Sequence, residues 1–429
     1  MNQEERRKRR ERDTRKAVIV FVLFLFFMVL LIAGVVFGIS KYILPQMQLG
    51  TDTEQTEGQP ETEEPSEEPV VDVTPPVDPY EEQAAGIVAG MSLEDKLAQM
   101  FVITPNALTG YSSVTAAGDT TREAYNSRPV GGIIYMGANL TDPEQTKTML
   151  SNMQAIARER TGLPIFLCVD EEGGSVARIA SNSAFSVTDV GKMSDIGATG
   201  DTQNAYNAGA VIGTYLTDLG FNVDFAPVAD VLTNPENTVI GDRSFGSDPQ
   251  LVAGMVTSEL QALSDMGVYG AVKHFPGHGG TTEDSHEGAA TTERALEEMM
   301  QSELVPFQSA IDAGVPFVMV GHISVPNVTG TDVPATLSSY MVTDVLRGRM
   351  GYRGIIITDA MDMGAITDNY NSDAAAVTAV VAGVDMILMP DDYETAYNGL
   401  LTAVQEGTIS EERINESVIR IVRAKLMMQ

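Results

Sequence analysis

The 429-residue chain contains one cysteine and only 27 Lys and Arg residues against 59 Asp and Glu residues. A single cysteine, Cys168, cannot form an intrachain disulfide and excludes a cysteine-rich zinc site. Cys168 lies in the apolar run PIFLCV, residues 164–169, so we interpret it as a small buried hydrophobe. The net charge of −32 argues against nucleic-acid binding, because a phosphate backbone requires a basic surface. We interpret the acidity as a solubility feature.

Several cofactor motifs are also missing. No GxGxxG follows the first candidate strand, which disfavours dinucleotide binding, and GHGG at residues 277–280 is not followed by Lys-Ser or Lys-Thr, as a phosphate-binding loop would be. Metal-dependent barrel hydrolases carry an HxH pair after their first strand, and this chain has none there. We therefore predict neither a cofactor nor a metal. A zinc site formed by His278, Asp284 and His286 stays open as an alternative.

The N-terminus combines a basic segment with a long uncharged one. Residues 1–16 are strongly basic, and residues 17–39 carry no charge. The second segment exceeds the roughly 20 residues that span a bilayer, so we predict a transmembrane helix at 17–39. The basic flank should stay in the cytoplasm, which places the rest of the chain outside the cell. A cleaved signal peptide is the alternative, and a lipid anchor is excluded because no cysteine follows residues 31–34.

A polar segment separates this predicted anchor from the rest of the chain. Residues 45–82 are rich in Glu, Thr and Pro and contain no Lys or Arg. Such a composition cannot bury enough apolar surface to fold, so we predict a disordered acidic linker over residues 40–82. We expect the chain to be a single-pass protein of the cell membrane whose domain at 83–429 is held outside.

Residues 83–429 alternate between apolar runs and amphipathic stretches. Eight strands are predicted, at Met100–Ile103, Gly132–Met136, Pro164–Val169, Val223–Ala226, Gly270–His274, Phe317–Val320, Gly354–Thr358 and Met386–Met389. Helices are predicted at Asp142–Glu159, Leu251–Met266, Thr292–Ala313 and Asp373–Val381, with a closing helix at Glu411–Met428. This pattern favours an α/β fold of the (β/α)8 TIM-barrel type, with a doubly wound open sheet as the alternative.

Polar residues follow five of these strands directly. The third strand ends in residues 170–174 (DEEGG), the fourth near Asp230, the fifth in Lys273-His274, the sixth in Gly321-His322 and the seventh in Thr358-Asp359. The carboxyl-terminal rim of a barrel holds its chemistry, so we expect these residues to meet in one site.

Asp359 follows the buried-strand pattern of residues 354–358 (GIIIT). A carboxylate at such a strand end is partly desolvated and points to the pocket, which suits a nucleophile that attacks an electrophilic carbon. Asp362, in the following loop, is its local rival, and a helix N-cap is the structural alternative.

Three of the four histidines fall in the stretch KHFPGHGGTTEDSH, residues 273–286. Asp284 and His286 are two residues apart, so a turn could let the carboxylate orient the imidazole and stabilise its protonated form. The neighbouring glycines predict a loop that moves, which would bring His286 over a bound substrate.

These residues together resemble glycoside hydrolase family 3, in its β-N-acetylglucosaminidase branch. The branch signature resembles KHFPGHG followed by TxxDSH, and residues 357–363 (ITDAMDM) resemble the nucleophile segment. Residues 170–174 with Arg178, and residues 241–246 (GDRSFG), resemble sugar-binding stretches. The similarity covers residues 85–429. The chain departs from the pattern at Gly280, usually Asp, and at Glu171, usually Gln.

The resemblance implies a retaining exo-hydrolase that acts on terminal β-linked N-acetylglucosamine in peptidoglycan-derived sugars. Asp359 would form the covalent glycosyl-enzyme, and Asp284 with His286 would be the acid/base pair. Sugar hydroxyls and the acetamido group would be held by Asp170, Arg178, Arg243, Lys273 and His274. We expect a monomer with a carbohydrate as its partner. The alternatives are a phosphorylase on the same site, substrate-assisted cleavage with Glu171 or Glu172 as the acid, and a non-catalytic sugar-binding protein.

Overall fold

The computed structural model describes residues 78–281 and 290–428. The predicted transmembrane helix at 17–39, the linker up to residue 77, and the pair Asp284 and His286 lie outside these residues. Among the helices that are described, none is both long and apolar enough to cross a bilayer.

Twelve strands are present in the described part of the chain. In order, they are β1 (Phe101–Ile103), β2 (Gly132–Ile134), β3 (Phe166–Val169), β4 (Glu171–Gly173), β5 (Val176–Ala177), β6 (Val223–Asp224), β7 (Tyr269–Phe275), β8 (Ala290–Thr291), β9 (Phe317–Val320), β10 (Ile323–Ser324), β11 (Ile355–Thr358) and β12 (Ile387–Leu388).

Eight of these strands form one parallel sheet in the order β11-β9-β7-β6-β3-β2-β1-β12. A parallel bridge between Ile357 and Met386 joins its two ends, so the sheet is a nearly closed barrel. The eight predicted strands correspond to these eight, and the doubly wound alternative is wrong because this bridge joins the two strands that would be the edges of an open sheet. The barrel is consistent with the (β/α)8 type. Two small sheets, β4 with β5 and β8 with β10, lie outside it.

Helices alternate with the barrel strands along the chain. They are α1 (Pro79–Ala89), α2 (Leu93–Gln99), α3 (Pro105–Thr109), α4 (Asp119–Ser127), α5 (Pro143–Thr161), α6 (Met193–Gly197), α7 (Thr202–Leu219), α8 (Pro249–Asp265), α9 (Leu296–Met299), α10 (Val305–Asp312), α11 (Pro326–Thr329), α12 (Gly364–Thr367), α13 (Ser372–Ala382), α14 (Tyr393–Gln405) and α15 (Glu411–Met427). A π-helix at Tyr340–Arg349 takes the position between β9 and β11.

Local sequence explains where the long helices begin. Asp142 and Asp248 cap α5 and α8 by accepting hydrogen bonds from backbone N–H groups of the first turn, and a proline follows each cap. A side-chain acceptor satisfies an N–H that the helix leaves open, and proline fits the first helical position because it needs no N–H there. α5 ends at Gly162, whose φ of 73° lies in the left-handed region that glycine adopts without strain.

The predicted helix at Thr292–Ala313 is wrong as a single element. The structure divides this range into an irregular stretch at residues 292–295, the short α9 and the separate α10, with turns at residues 300–304. Pro306 lies in the first turn of α10. Proline disfavours helical geometry at the preceding residue and offers no N–H, so it starts a helix more readily than it continues one.

α15 covers the amino end of the barrel. Lys425 is buried there, its Nζ donates to Gln99 Oε1 at 2.6 Å, and it lies 5.1 Å from the centre of the Phe166 ring. Burial without a carboxylate partner lowers the pKa of Lys425 to about 7. The side chains of Lys425 and Phe166 thus occupy the barrel interior near this end.

Candidate active site

A cavity of about 300 Å3 opens at the carboxyl ends of the barrel strands. It brings together every predicted site residue that the structure describes, namely Asp170, Arg178, Arg243, Lys273, His274 and Asp359. A larger cavity of about 450 Å3 lies at the amino ends of β7, β9 and β11 and contains none of them. The parallel barrel explains the convergence, because all strand ends of one polarity meet on one rim.

Lys273, near the end of β7, is bound by two carboxylates from the segment after β3. Its Nζ donates to Asp170 Oδ1 at 2.8 Å and lies 2.6 Å from Glu172 Oε1. Burial lowers the pKa of Lys273, but the two carboxylates outweigh that effect and raise it. An ammonium group has three donors, so Lys273 is a fixed cation whose contacts with the described residues occupy two of its three N–H groups.

Arg243, from the segment between β6 and β7, completes this network. Its Nε and Nη2 donate to the two oxygens of Glu172 at 2.7 and 2.8 Å, a bidentate pair. Burial raises the pKa of Glu172, but the charges of Lys273 and Arg243 and the hydrogen bonds from Arg243 hold it far below its ordinary value. Glu172 is therefore ionised, and it fixes both cations at the cavity wall.

The imidazole of His274 is held at both ring nitrogens. Nδ1 lies 2.7 Å from Asp230 Oδ2, and Nε2 lies 3.3 Å from Arg243 Nη2. Asp230 is fully buried and also accepts the backbone N–H groups of His274 and His278 at its Oδ1. The strand-end prediction for Asp230 thus identified a residue that positions His274 and does not itself line the cavity.

Asp359 sits at the end of β11 and is half-buried in the cavity wall. Its own N–H donates to the carbonyl of Val320 at 2.9 Å, and its Oδ1 accepts the N–H of Ala360 at 2.8 Å. Burial raises the pKa of Asp359, but the imidazoles of His274 and His322, the Ala360 N–H and Lys273 together lower it below its ordinary value. Asp359 is therefore an ionised carboxylate at neutral pH. Its rival Asp362 lines the same cavity but is exposed.

Glu171 and Glu172, neighbours in sequence, have different environments. Glu171 is fully buried and accepts the N–H groups of Ile179 and Ala180 and the hydroxyl of Tyr215, each at 2.8 Å. It does not line the cavity. The departure from the family pattern at this position therefore has a structural role, since Glu171 organises the chain that follows the β4–β5 hairpin.

Two glycines in the described part of the loop after β7 are required by the backbone conformation and by close packing. Gly277 has a φ of 120°, which favours glycine, and a Cβ at Gly279 would overlap the carbonyl oxygen of Val231. Between them, His278 is buried at the cavity with its Nδ1 2.8 Å from Thr281 Oγ1. The peptides Lys273–His274 and Phe275–Pro276 just before this loop are cis.

The second departure, Gly280, lies beside the buried carboxylate of Glu303. A Cβ at Gly280 would stand 3.7 Å from Glu303 Oε1, which accepts from Thr233 Oγ1 at 3.2 Å and pairs with Arg294 Nη1 at 3.0 Å. Glu303, in the turn that follows α9, thus places a carboxylate close to position 280, where the family pattern usually has the carboxylate of an Asp.

Sequence reasoning missed the apolar wall of the cavity. It consists of aliphatic and thioether side chains: Ile134, Met136, Val176, Val239, Met319, Met363, Leu388 and Met389. The signal was weak but present, since Met136 and Met389 follow the ends of β2 and β12. Strand-end apolar residues attract less notice than charged ones, although both face the same cavity.

No group of three or more candidate ligands that could hold a metal is found within residues 78–281 and 290–428. The zinc alternative drew on Asp284 and His286, which lie outside these ranges, so it stays an untested alternative.

Comparisons with known proteins agree on one family. Residues 92–424 match the model of the glycosyl hydrolase family 3 N-terminal domain. Beta-hexosaminidase A of Pseudoalteromonas piscicida is 36% identical over 320 residues, 69% of this chain and 53% of that protein. Beta-hexosaminidase LpqI of Mycobacterium tuberculosis is 32% identical over 367 residues, 83% of this chain and 89% of that protein.

A solved structure supports the same assignment. The family 3 beta-N-acetylglucosaminidase of Paenibacillus sp. FPU-7 superimposes with a TM-score of 0.73 at 40% identity, over 79% of this chain and 63% of that one. The chain thus spans about half the length of the Pseudoalteromonas relative and most of the mycobacterial one. Because the family model matches most of the chain and these relatives share its sequence over most of its length, the chain belongs to glycosyl hydrolase family 3.

Proposed function

We propose that this chain is a retaining exo-β-N-acetylglucosaminidase that hydrolyses terminal β-linked N-acetylglucosamine from peptidoglycan-derived sugars. The observation that carries the proposal is the placement of ionised Asp359 in the same cavity as the Lys273–Glu172–Arg243 network. The names of the relatives, beta-hexosaminidase and beta-N-acetylglucosaminidase, support the choice of sugar.

In the first step, Asp359 attacks the anomeric carbon and displaces the aglycone, and a covalent glycosyl-enzyme forms. A carboxylate with a lowered pKa suits this role, since it is ionised at the pH of the reaction and needs no separate base. The Ala360 N–H orients Oδ1, so the carboxylate presents a defined geometry to the substrate.

His286, oriented by Asp284, is proposed as the acid that protonates the departing oxygen and then as the base that activates water. These roles come from the sequence motif. Retaining glycosidases commonly use two carboxyl groups, so a histidine acid/base is an exception to that scheme.

The remaining residues are proposed to hold the sugar. The contacts of Lys273 with the described residues occupy two of its three N–H groups, and Arg178 Nε is buried and has no hydrogen-bond partner among those residues. Arg178 Nη2 lies 3.9 Å from Asp170 Oδ2, too far for a hydrogen bond, so both groups can turn to a hydroxyl or to the acetamido group. Arg243 and His274 line the same wall, and some of these contacts should strengthen as charge develops on the ring.

The environment of the two glutamates disfavours substrate-assisted cleavage. Glu172 is held ionised by Lys273 and Arg243, so it lacks the proton that an acid donates. Burial raises the pKa of Glu171, but this side chain is enclosed by its three donors and lies away from the cavity.

The decisive experiment is trapping of the intermediate. A fluorinated N-acetylglucosaminyl fluoride should add one sugar mass to the protein, and peptide mapping should locate it on Asp359. A chromogenic N-acetylglucosaminide separates the enzyme from a non-catalytic binding protein, and added phosphate should not yield sugar 1-phosphate. A label on another residue, or no turnover at all, would contradict the proposal.

His286→Ala should slow natural disaccharides more than aryl glycosides with good leaving groups. Such aryl groups need little protonation, whereas a sugar leaving group does, and general acid catalysis contributes about 10²–10⁴-fold. The comparison of kcat/KM for a dinitrophenyl glycoside and a disaccharide measures the difference. Equal losses on both substrates would speak against the acid role.

For location, we propose that residues 17–39 anchor the protein in the cell membrane with the catalytic domain outside. The support is the uncharged length of this segment and the basic residues before it. The full-length protein should sediment with membranes and be digested by protease added to intact spheroplasts. A monomeric state is proposed as well.

A further inference from the structure

His322 follows β9 on the barrel rim and has no role in the mechanism so far. It is fully buried, and its Nε2 lies 2.9 Å from the carbonyl oxygen of Ala360. A carbonyl oxygen only accepts hydrogen bonds, so Nε2 must carry a proton. His322 therefore donates a hydrogen bond to the backbone of Ala360, the residue that directly follows Asp359.

The other ring nitrogen faces a hydroxyl that has several acceptors within reach. Nδ1 lies 2.9 Å from Thr336 Oγ1, and the same oxygen lies 2.8 Å from the Gly321 carbonyl oxygen and 3.1 Å from the Val320 carbonyl oxygen. Val320 O already accepts the N–H of Asp359. A hydroxyl that donates its single proton to Gly321 O is an acceptor toward His322, and that arrangement requires a proton on Nδ1 as well.

The contacts form a continuous path to the candidate nucleophile. Thr336 fixes His322, His322 fixes the carbonyl of Ala360, and the N–H of the same residue donates to Asp359 Oδ1 at 2.8 Å. In its charged form His322 is among the groups that lower the pKa of Asp359 against the effect of burial, so a protonated ring would stabilise the carboxylate.

We propose that His322 is a positioning residue of the reaction, held as an imidazolium between Thr336 and the Ala360 carbonyl, where it orients Asp359 and keeps it ionised. This inference rests on the proposed role of Asp359 as the nucleophile. It gives Thr336, in the 3-10 helix Ala335–Leu337, a part in the same arrangement.

The first test reads the ring directly in the wild-type protein. With 15N-labelled histidine, both ring nitrogens of His322 should show the shifts of protonated nitrogens from about pH 6 to about pH 8, across the ordinary histidine pKa of about 6.5. His322→Gln identifies the signals by their loss. An unprotonated nitrogen at neutral pH would overturn the imidazolium.

The second test uses kinetics. His322→Phe removes both the hydrogen bond and the charge, so kcat should fall about 10–100-fold with little change in KM, as expected for a displaced reacting group. His322→Gln keeps a donor for the Ala360 carbonyl and should recover part of the rate. In both variants the acid limb of kcat/KM should move to higher pH, because loss of the positive charge raises the pKa of Asp359.

Thr336→Val should move the acid limb in the same direction, and it carries the test if the His322 variants fail to fold. Thr343→Val is the matched control, since Thr343 lies on the π-helix, its Oγ1 donates to Ala382 O at the end of α13, and neither residue lines the cavity. An unmoved acid limb in His322→Gln and Thr336→Val would overturn the proposal. Failure of the trapping experiment at Asp359 would instead contradict the proposed function, because the ring shifts do not depend on it.

Discussion

Replacing Asp359 by Asn is expected to lower kcat on a chromogenic N-acetylglucosaminide by about 10⁴-fold or more, the loss typical when a covalent nucleophile is removed. The amide is nearly isosteric and can still accept the Ala360 N–H, so the fold should persist. Circular dichroism and the thermal midpoint should match those of the wild type. Activity near the wild-type level would rule out this assignment.

Asp362→Asn is the matched control, because it removes a carboxylate three residues further along the same segment. Asp362 lines the same cavity but is exposed, so solvent screens its charge and its loss should cost less than about 10-fold. A complementary result would come from Asp359→Ala with added azide, which should form a glycosyl azide of the α configuration at the vacated face. The reverse ranking of the two Asn variants would move the nucleophile to Asp362.

Replacing Glu172 by Gln is expected to lower the free energy of unfolding by about 3–5 kcal/mol at pH 7, since breaking a buried ion pair leaves uncompensated charge. Glu172 is almost fully buried and binds Lys273 and Arg243 together. Denaturant unfolding of both proteins gives the difference. Substrate affinity should fall as well, because both cations lose their fixed partner.

The depressed pKa of Glu172 predicts how the stability difference between wild type and Glu172→Gln changes with pH. The folded pKa of Glu172 is depressed, so its contribution is complete above the unfolded pKa of about 4.3 and is lost as pH falls toward the folded value. The difference between wild type and Glu172→Gln should therefore shrink below about pH 4.3. A difference that is independent of pH would mean that packing, not charge, is responsible.

Glu171→Gln provides the contrast at the adjacent position. Burial raises the pKa of Glu171, so the wild type gains stability there when this group takes up a proton. The expected cost at pH 7 is smaller, about 1–3 kcal/mol for the disturbed hydrogen bonds, and it should not shrink on acidification. Equal behaviour of the two variants would contradict the difference in their environments.

The strands and the site residues at their ends were predictable because they are local signals. A buried parallel strand is a short apolar run, and residues 354–358 or 164–169 show it without reference to the rest of the chain. A charged residue directly after such a run, such as Asp359 or Lys273, must lie on the barrel rim once the fold class is known.

The partners of these residues were not predictable in the same way. These contacts join residues that lie far apart in sequence. They are the bidentate pair of Arg243 with Glu172, the contact of Asp230 with His274, and the path from Thr336 through His322 to Asp359. The amphipathic pattern also did not predict that Thr292–Ala313 is divided into two helices, although Pro306 is a sequence signal for that division.

By itself, the sequence determined the barrel and the rim positions of the charged residues, because periodicity and strand-end placement act over a few neighbouring residues, and the resemblance of its motifs indicated the family. Tertiary structure alone decided which carboxylates are ionised in the cavity and which are enclosed behind it. Glu171 and Glu172 illustrate the reason. They are the same residue type and adjacent in sequence, yet Glu171 accepts backbone N–H groups in the buried interior, whereas Glu172 contacts two cations. Their chemistry therefore depends on groups brought from distant parts of the chain.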